Sequence, residues 1–158
     1  METLVRRIER KSIIVGIIGL GYVGLPLARA FLTAGLTVVG FDIDKEKVEK
    51  TNRGESYIRH ISSDLVNKYV QKKKLREKKL RATCDFSELR SVDSIIICVP
   101  TPIGDHCEPD LQYIRSRVAE IARHLKEGQI IVLESTTCPG TTDEIVLPML
   151  QQKGMKAG

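Results

Sequence analysis

The sequence has no tryptophan and only three phenylalanines and four tyrosines. Proteins that stack nucleobases on aromatic platforms need more of these residues, set among their cations. There are four cysteines, Cys84, Cys98, Cys107 and Cys138, and no two have C-x-x-C spacing. The three histidines, His60, His106 and His124, are scattered. That distribution predicts neither a zinc site nor a disulfide framework, so the expectation is no metal and reduced thiols. Long hydrophobic runs are also missing. The longest are of strand length, which argues against a membrane-spanning helix. Met1-Glu2 leads into Arg6, Arg7, Arg10 and Lys11 without an apolar core of signal-peptide type. The expected location is therefore cytoplasmic, with no membrane partner.

What is present is ordinary for one soluble globular domain. The 158 residues are 42% hydrophobic and 28% charged, enough to bury a real core. The net charge of +5 invites a nucleic-acid reading, but its location argues against one. Between residues 68 and 81 eight cations (Lys68, Lys72, Lys73, Lys74, Arg76, Lys78, Lys79, Arg81) face one acid, Glu77, so the segment is +7 and the rest of the chain −2. Aromatics do not alternate with these cations. The segment reads as a solvated basic helix face, or as a patch that attracts an anionic substrate or a partner subunit. No nucleic-acid partner is expected.

The most informative stretch is Gly16-Ile-Ile-Gly-Leu-Gly-Tyr-Val-Gly24. An apolar run (Ile13, Ile14, Val15, Ile17, Ile18) feeds into Gly19-x-Gly21-x-x-Gly24. A helix pattern follows from Leu25 to Thr33. A second apolar run, Leu36 to Phe41, closes on Asp42. Glycine spacing, strand before, helix after and a carboxylate roughly 20 residues on together predict a dinucleotide site. Gly19 permits the tight turn, Gly21 lets backbone approach a pyrophosphate, and Gly24 allows close packing of helix on sheet. The pyrophosphate would face the free N–H groups of the helix N-terminus. Asp42 would accept from the adenosine ribose hydroxyls and repel a 2′-phosphate, so NAD is expected over NADP. Lys45 and Lys47 nearby soften that preference.

Along the chain, 1–11 reads as a polar basic lead-in and 12–158 as the nucleotide-binding domain. Strands are predicted over 12–18, 36–41, 80–83, 93–99 and 129–133. The predicted helices run over 23–34, over 45–50 behind an Asp44 cap and ending near Gly54, and from a Ser62-Ser63-Asp64 cap. A longer one starts at Asp110 and is stopped by Gly128. A last one is capped by Thr141 or Thr142 and interrupted or kinked by Pro148. Alternating strands and helices with short links give an α/β fold: a Rossmann-type, doubly wound parallel sheet. Its ligand loops lie beyond the strand carboxyl ends, at 19–24, 42–47, 99–110 and 134–142.

Two of those loops narrow the reading. Residues 99–111 are Val-Pro-Thr-Pro-Ile-Gly-Asp-His-Cys-Glu-Pro-Asp-Leu, and 133–142 are Leu-Glu-Ser-Thr-Thr-Cys-Pro-Gly-Thr-Thr. With Gly-Leu-Gly-Tyr-Val-Gly-Leu-Pro-Leu-Ala at 19–28, the chain resembles the UDP-glucose/GDP-mannose (nucleotide-sugar) dehydrogenase family. The wording is most similar to its UDP-N-acetylglucosamine 6-dehydrogenase branch. The resemblance implies oxidation of the C6 alcohol of a UDP-sugar to a carboxylate with two NAD reduced, through an aldehyde and a thiohemiacetal on a cysteine, in polysaccharide biosynthesis. It also implies that the nucleophilic cysteine, the central dimerisation domain and the substrate domain lie outside this chain. The chain is then a fragment, inactive alone, of an enzyme that is a homodimer or larger.

By the same resemblance, Gly19, Leu20, Gly21, Tyr22, Val23 and Gly24 hold the pyrophosphate, and Asp42, with Lys47 beside it, holds the ribose. Val99, Pro100, Thr101 and Pro102 flank the cofactor. Ser135 and Thr136 meet the nicotinamide end, and Thr136 helps organise a catalytic water. Other readings stand beside these. Thr101 is equally a turn residue between prolines, Thr136 a capping or strand-end hydroxyl, and Tyr22 a packing or lid residue. Cys138 sits beside the threonines without an adjacent base and is not expected to be a nucleophile. Cys98 is expected in the core, Cys107 is incidental, and His106 is exposed. Two other functions compete: a β-hydroxyacid-type NAD dehydrogenase, and a non-catalytic NAD(H)-sensing domain.

Overall fold

A computed structural model of the chain describes residues 4–59, 61–70, 79–103, 109–151 and 154. Most of the cationic run, with His60, His106 and Cys107, lies outside them. Five strands, β1 Ile14–Ile18, β2 Thr37–Phe41, β3 Leu80–Thr83, β4 Ser94–Ile97 and β5 Ile130–Leu133, form one sheet in the order β3-β2-β1-β4-β5. Every pairing is parallel, for example Ile17 opposite Gly40 on one side and Ile96 on the other.

A parallel sheet needs cover on both faces, which is why its strands are apolar at consecutive positions. Val15, Ile17, Val38, Ile96 and Cys98 face one core with Leu25, Ala28 and Leu32 of α2 (Gly24–Thr33) and Val66 and Val70 of α4 (Ser63–Val70). Ile18, Val39, Phe41, Ile95 and Ile97 face the other, against Ile114, Val118 and Ile121 of α5 (Gln112–His124) and Leu150 of α6 (Leu147–Gln151). This is the doubly wound arrangement. Among the described residues no helix is long and apolar enough to cross a membrane.

Several predicted boundaries move. The first strand starts at Ile14 because the chain turns at Lys11, which has a φ of 56°. The helix α3 (Lys45–Arg53) is capped as expected: the Asp44 side chain accepts from the Glu46 and Lys47 N–H groups, and Gly54 closes it in the left-handed conformation. Asp110 accepts from the Gln112 N–H, but α5 itself begins at Gln112 and ends at His124, ahead of Gly128. Thr141 does not cap the last helical segment; its hydroxyl donates to the Cys138 carbonyl. A π turn over Thr142–Val146 precedes α6, and Pro148, which has no N–H to give to a carbonyl four residues back, is the second residue of α6, so the helical segment continues through it.

The polar lead-in contains a short helix, α1 (Leu4–Glu9), not predicted from the sequence. Leu4 packs on the first core. Arg7 donates from both terminal guanidinium nitrogens, Nη1 and Nη2, to Asp93 at 2.8 Å each, and Asp93 also accepts from the Ile14 N–H at 2.9 Å. Sequence order hid this pair, whose members are 86 residues apart.

Candidate functional site

Strand order reverses between β1 and β4, so the crevice of the sheet opens there, beyond their carboxyl ends. Gly19 leaves β1 at this point. Its N–H donates to the Phe41 carbonyl, while the Cys98 N–H donates to the Ile18 carbonyl. Its φ of +93° suits glycine, and a Cβ there would come within 2.5 Å of the Cys98 carbonyl oxygen. A Cβ on Gly24 would collide with the Gly19 carbonyl oxygen. Two of the three glycines are therefore dictated by the protein's own packing.

Gly21 is different. Among the described residues a Cβ there would meet no atom within 4 Å, and its φ lies outside the left-handed region. No described residue requires glycine at this position. The space beside it is open at the entrance to α2, where helix N–H groups favour an anion.

Asp42 follows β2 and is 7% exposed. One carboxylate oxygen accepts from the Leu20 N–H at 2.8 Å and the other from the Asp44 N–H at 3.0 Å. Among the described residues it has no salt bridge. A carboxylate with two backbone donors retains lone pairs for further hydroxyl donors. Lys47, half-buried one turn into α3, has its ammonium 3.8 Å from the Asp44 carboxylate. Glycine loop and acidic residue are thus joined directly: the carboxylate expected to take a ribose also fixes the loop.

The mouth has an exposed apolar rim. Tyr22 is 76% exposed, Ile43 68% and Ile103 75%, and Val23 is also exposed. Ile103 pairs with Pro109 in an isolated bridge, and the Asp110 N–H donates to the Pro102 carbonyl, closing the base of the loop after β4. In that loop Val99 and Thr101 are half-buried, and Pro100 and Pro102 are exposed. The Ser135 hydroxyl donates to the Val99 carbonyl at 2.9 Å and lies 3.3 Å from that of Ile97, tying the exit of β5 to that of β4. Thr136, the next residue, is exposed. The structure therefore brings the glycine loop, Asp42, the 99–102 segment and Ser135 to one end of the sheet.

Cys98 is buried, and burial first, with Glu134 second, pushes its thiol up to about 11. It is a core thiol, not a nucleophile. Cys138 is exposed. Among the described residues no three His, Cys, Asp or Glu side chains gather as a metal site would need.

Sequence reasoning missed Tyr57. Its hydroxyl donates to the Leu20 carbonyl at 2.6 Å. Burial, with the Asp42 charge adding in the same direction, pushes the phenol up to about 12. The Leu20 side chain is fully buried with Val48 and Ala82, with Tyr57 packed against them, and Gly40 makes room for it: a Cβ there would lie 2.7 Å from a Leu20 methyl. The signal in the sequence was the x of Gly-x-Gly being a large apolar residue, with a glycine late in the second strand.

Residues 13–158 match the model of the UDP-glucose/GDP-mannose dehydrogenase family, NAD binding domain. The chain is 34% identical over 145 residues to UDP-N-acetyl-D-mannosamine dehydrogenase of Pyrococcus horikoshii, covering 91% of this chain and 33% of that protein. It is 37% identical over 142 residues to UDP-N-acetyl-D-glucosamine 6-dehydrogenase of Pseudomonas aeruginosa, covering 90% and 32%. Among solved structures it is similar to a ternary complex of GDP-mannose dehydrogenase from Pseudomonas aeruginosa (TM-score 0.83, 31% identity, 91% of this chain and 33% of that one). The chain spans about a third of the length of the curated relatives it matches.

Proposed function

Because the chain belongs to the UDP-glucose/GDP-mannose dehydrogenase family, as its NAD-binding domain, we propose that it serves the oxidation of a UDP-N-acetylhexosamine at C6 to a carboxylate, with two NAD reduced per sugar. The relatives' names support the sugar class, since those quoted above include enzymes of UDP-N-acetylmannosamine and UDP-N-acetylglucosamine. The carrying observation is the pairing of an open, unfilled face at Gly21 with the buried Asp42 carboxylate that holds the same loop.

In this reading the backbone from Gly19 to Gly24 holds the pyrophosphate and Asp42 accepts from the adenosine ribose, with Lys47 beside it. Val99, Pro100, Thr101 and Pro102 flank the nicotinamide half. Ser135 keeps the two strand exits together, and Thr136 holds a water near the reacting carbon. NAD held by these residues would supply a hydride acceptor for the substrate carbon. The exposed apolar side chains of Tyr22, Val23 and Ile103, and of Ile43 beside Asp42 on the ribose side, border the cofactor cleft. The nucleophilic cysteine and most of the sugar site fall outside this chain, so the chain alone binds NAD without turnover. The whole enzyme would be a homodimer or larger and cytoplasmic.

Calorimetric titration with NAD and NADP tests the cofactor half. NAD binding with weaker NADP binding is expected, and equal affinity would overturn the role given to Asp42. NADH formation by a longer protein carrying this domain, assayed with UDP-N-acetylglucosamine, UDP-N-acetylmannosamine and UDP-glucose, tests the substrate half. Activity confined to UDP-glucose would overturn it.

A further inference from the structure

The peptide units on either side of Leu20 are held by two different side chains. Asp42 takes the Leu20 N–H at 2.8 Å, and Tyr57 gives its hydroxyl proton to the Leu20 carbonyl at 2.6 Å. A trans peptide is planar, with its C=O and N–H pointing in opposite directions, and none in the described chain is cis. Fixing the Leu20 carbonyl therefore also aims the next N–H, that of Gly21. Tyr57 lies on the inner side of the loop, packed with Leu20, Val48 and Ala82, so the Gly21 N–H turns away from that cluster. The open space beside Gly21 has no atom of the described residues within 4 Å of a Cβ position.

We propose that Tyr57 is a positioning residue for the cofactor: by holding the Leu20 carbonyl inward it presets the Gly21 N–H toward the pyrophosphate. This rests on the reading that the glycine loop holds that group. The arrangement suits the task in three ways. Leu20 cannot swing, because its side chain is fully buried and Gly40 leaves room for it. The phenol stays protonated, and so remains a donor, across the physiological range. Tyr57 stands in the connection between α3 and α4, outside the glycine motif, so the loop is preset from a different part of the chain. A donor aimed before binding avoids the ordering cost that binding would otherwise carry.

The test compares NAD dissociation constants of the chain and its variants by calorimetry, well below their melting temperatures. Tyr57→Phe keeps the ring in its cavity and removes the donor. It is expected to weaken NAD binding roughly five- to tenfold, the range for one lost hydrogen bond, and to move the Gly21 amide signal in the NMR spectrum of the free chain. Replacing Tyr57 by 4-aminophenylalanine, which keeps a donor at the same place, is expected to restore both. A purely structural role would lower the melting temperature without changing the dissociation constant, and that result would overturn the proposal. So would weakening that 4-aminophenylalanine fails to restore. Gly21→Ala separates this inference from the reading beneath it: its Cβ enters open space without backbone strain but blocks the approach of a pyrophosphate. If Gly21→Ala weakens NAD binding and Tyr57→Phe does not, only the role of Tyr57 fails. If neither does, the glycine-loop reading fails as well.

Discussion

Two buried aspartates stand at opposite ends of the sheet. Asp42 follows the carboxyl end of β2 and is 7% exposed; Asp93 precedes the amino end of β4 and is 6% exposed. Each accepts backbone N–H groups: Asp42 from Leu20 and Asp44, Asp93 from Ile14. The difference is the counter-ion. Asp93 is closed by both nitrogens of Arg7, with the Lys126 ammonium 3.9 Å away. Asp42 has only neutral donors among the described residues. A buried carboxylate is costly unless paired. At the amino end the chain pairs it and gains an anchor for α1. At the carboxyl end the charge has no such partner among the described residues and stands beside the open face of Gly21; in the function proposed above, the ribose takes that place. One chemical group thus reads as structural or functional according to what surrounds it.

That comparison can be broken by substitution. Asp93→Asn should have the largest effect, because it leaves the guanidinium without its carboxylate. A stability loss of about 2 kcal/mol is expected, held down by the part of Arg7 that stays in water. It should appear as a melting temperature several degrees lower, with NAD affinity of the folded protein unchanged. Asp42→Asn should do the reverse. NAD binding should weaken tenfold or more, about 1.5 kcal/mol for hydrogen bonds to a charged group, with a smaller change in melting temperature. If both variants lost stability alone, the two carboxylates would be equivalent after all.

Acid sharpens the same contrast. Burial raises the Asp93 carboxyl, but Arg7, the Ile14 N–H and Lys126 together hold it below the ordinary carboxylate value. Its folded form is therefore stabilised when ionised. That contribution is complete above the unfolded value near pH 4 and is lost as pH falls through the lower folded value. Circular-dichroism unfolding curves of the parent and Asp93→Asn should differ most above about pH 4, begin to converge as pH falls below it, and meet below the folded value. A constant difference down to pH 2 would mean that the ion pair is not the cause. The smallest effect is expected for Lys47→Ala. NADP affinity should fall a few-fold, a fraction of 1 kcal/mol for a charge still partly in water, with NAD affinity within twofold by calorimetry.

The elements were legible where local chemistry decides them. The apolar run before Gly19, the Asp44 cap and the Gly54 stop each involve residues a few positions apart, and the structure keeps them. The ends of α5 lie inside the predicted ones: Asp110 accepts from the Gln112 N–H ahead of the first turn, and at the far end Leu125 is already extended and the Lys126 N–H donates to the Gln129 side chain, so the helix stops before Gly128. At the site, Gly19, Gly24 and Asp42 could be named from spacing. Tyr57 could not, because its partner is 37 residues away and only the folded chain brings its hydroxyl under the loop. Arg7 was invisible for the same reason. The hydroxyl of Ser135 was readable as a polar group near the cofactor end, but not as the tie between two strand exits.

Asn52 sits late in α3, and its side-chain amide donates to the Ala82 carbonyl at 2.9 Å and accepts from the Ala82 N–H at 2.8 Å. It pairs with β3 as a one-residue strand would. Among the described residues β3 is the last strand on its side of the sheet, where free backbone groups invite a second chain to add itself. An approaching strand finds the middle of that edge already taken, by a side chain too short to be extended. Through Asn52, α3 covers the middle of the β3 edge against edge-to-edge pairing, and Asn52→Ala is expected to reopen it.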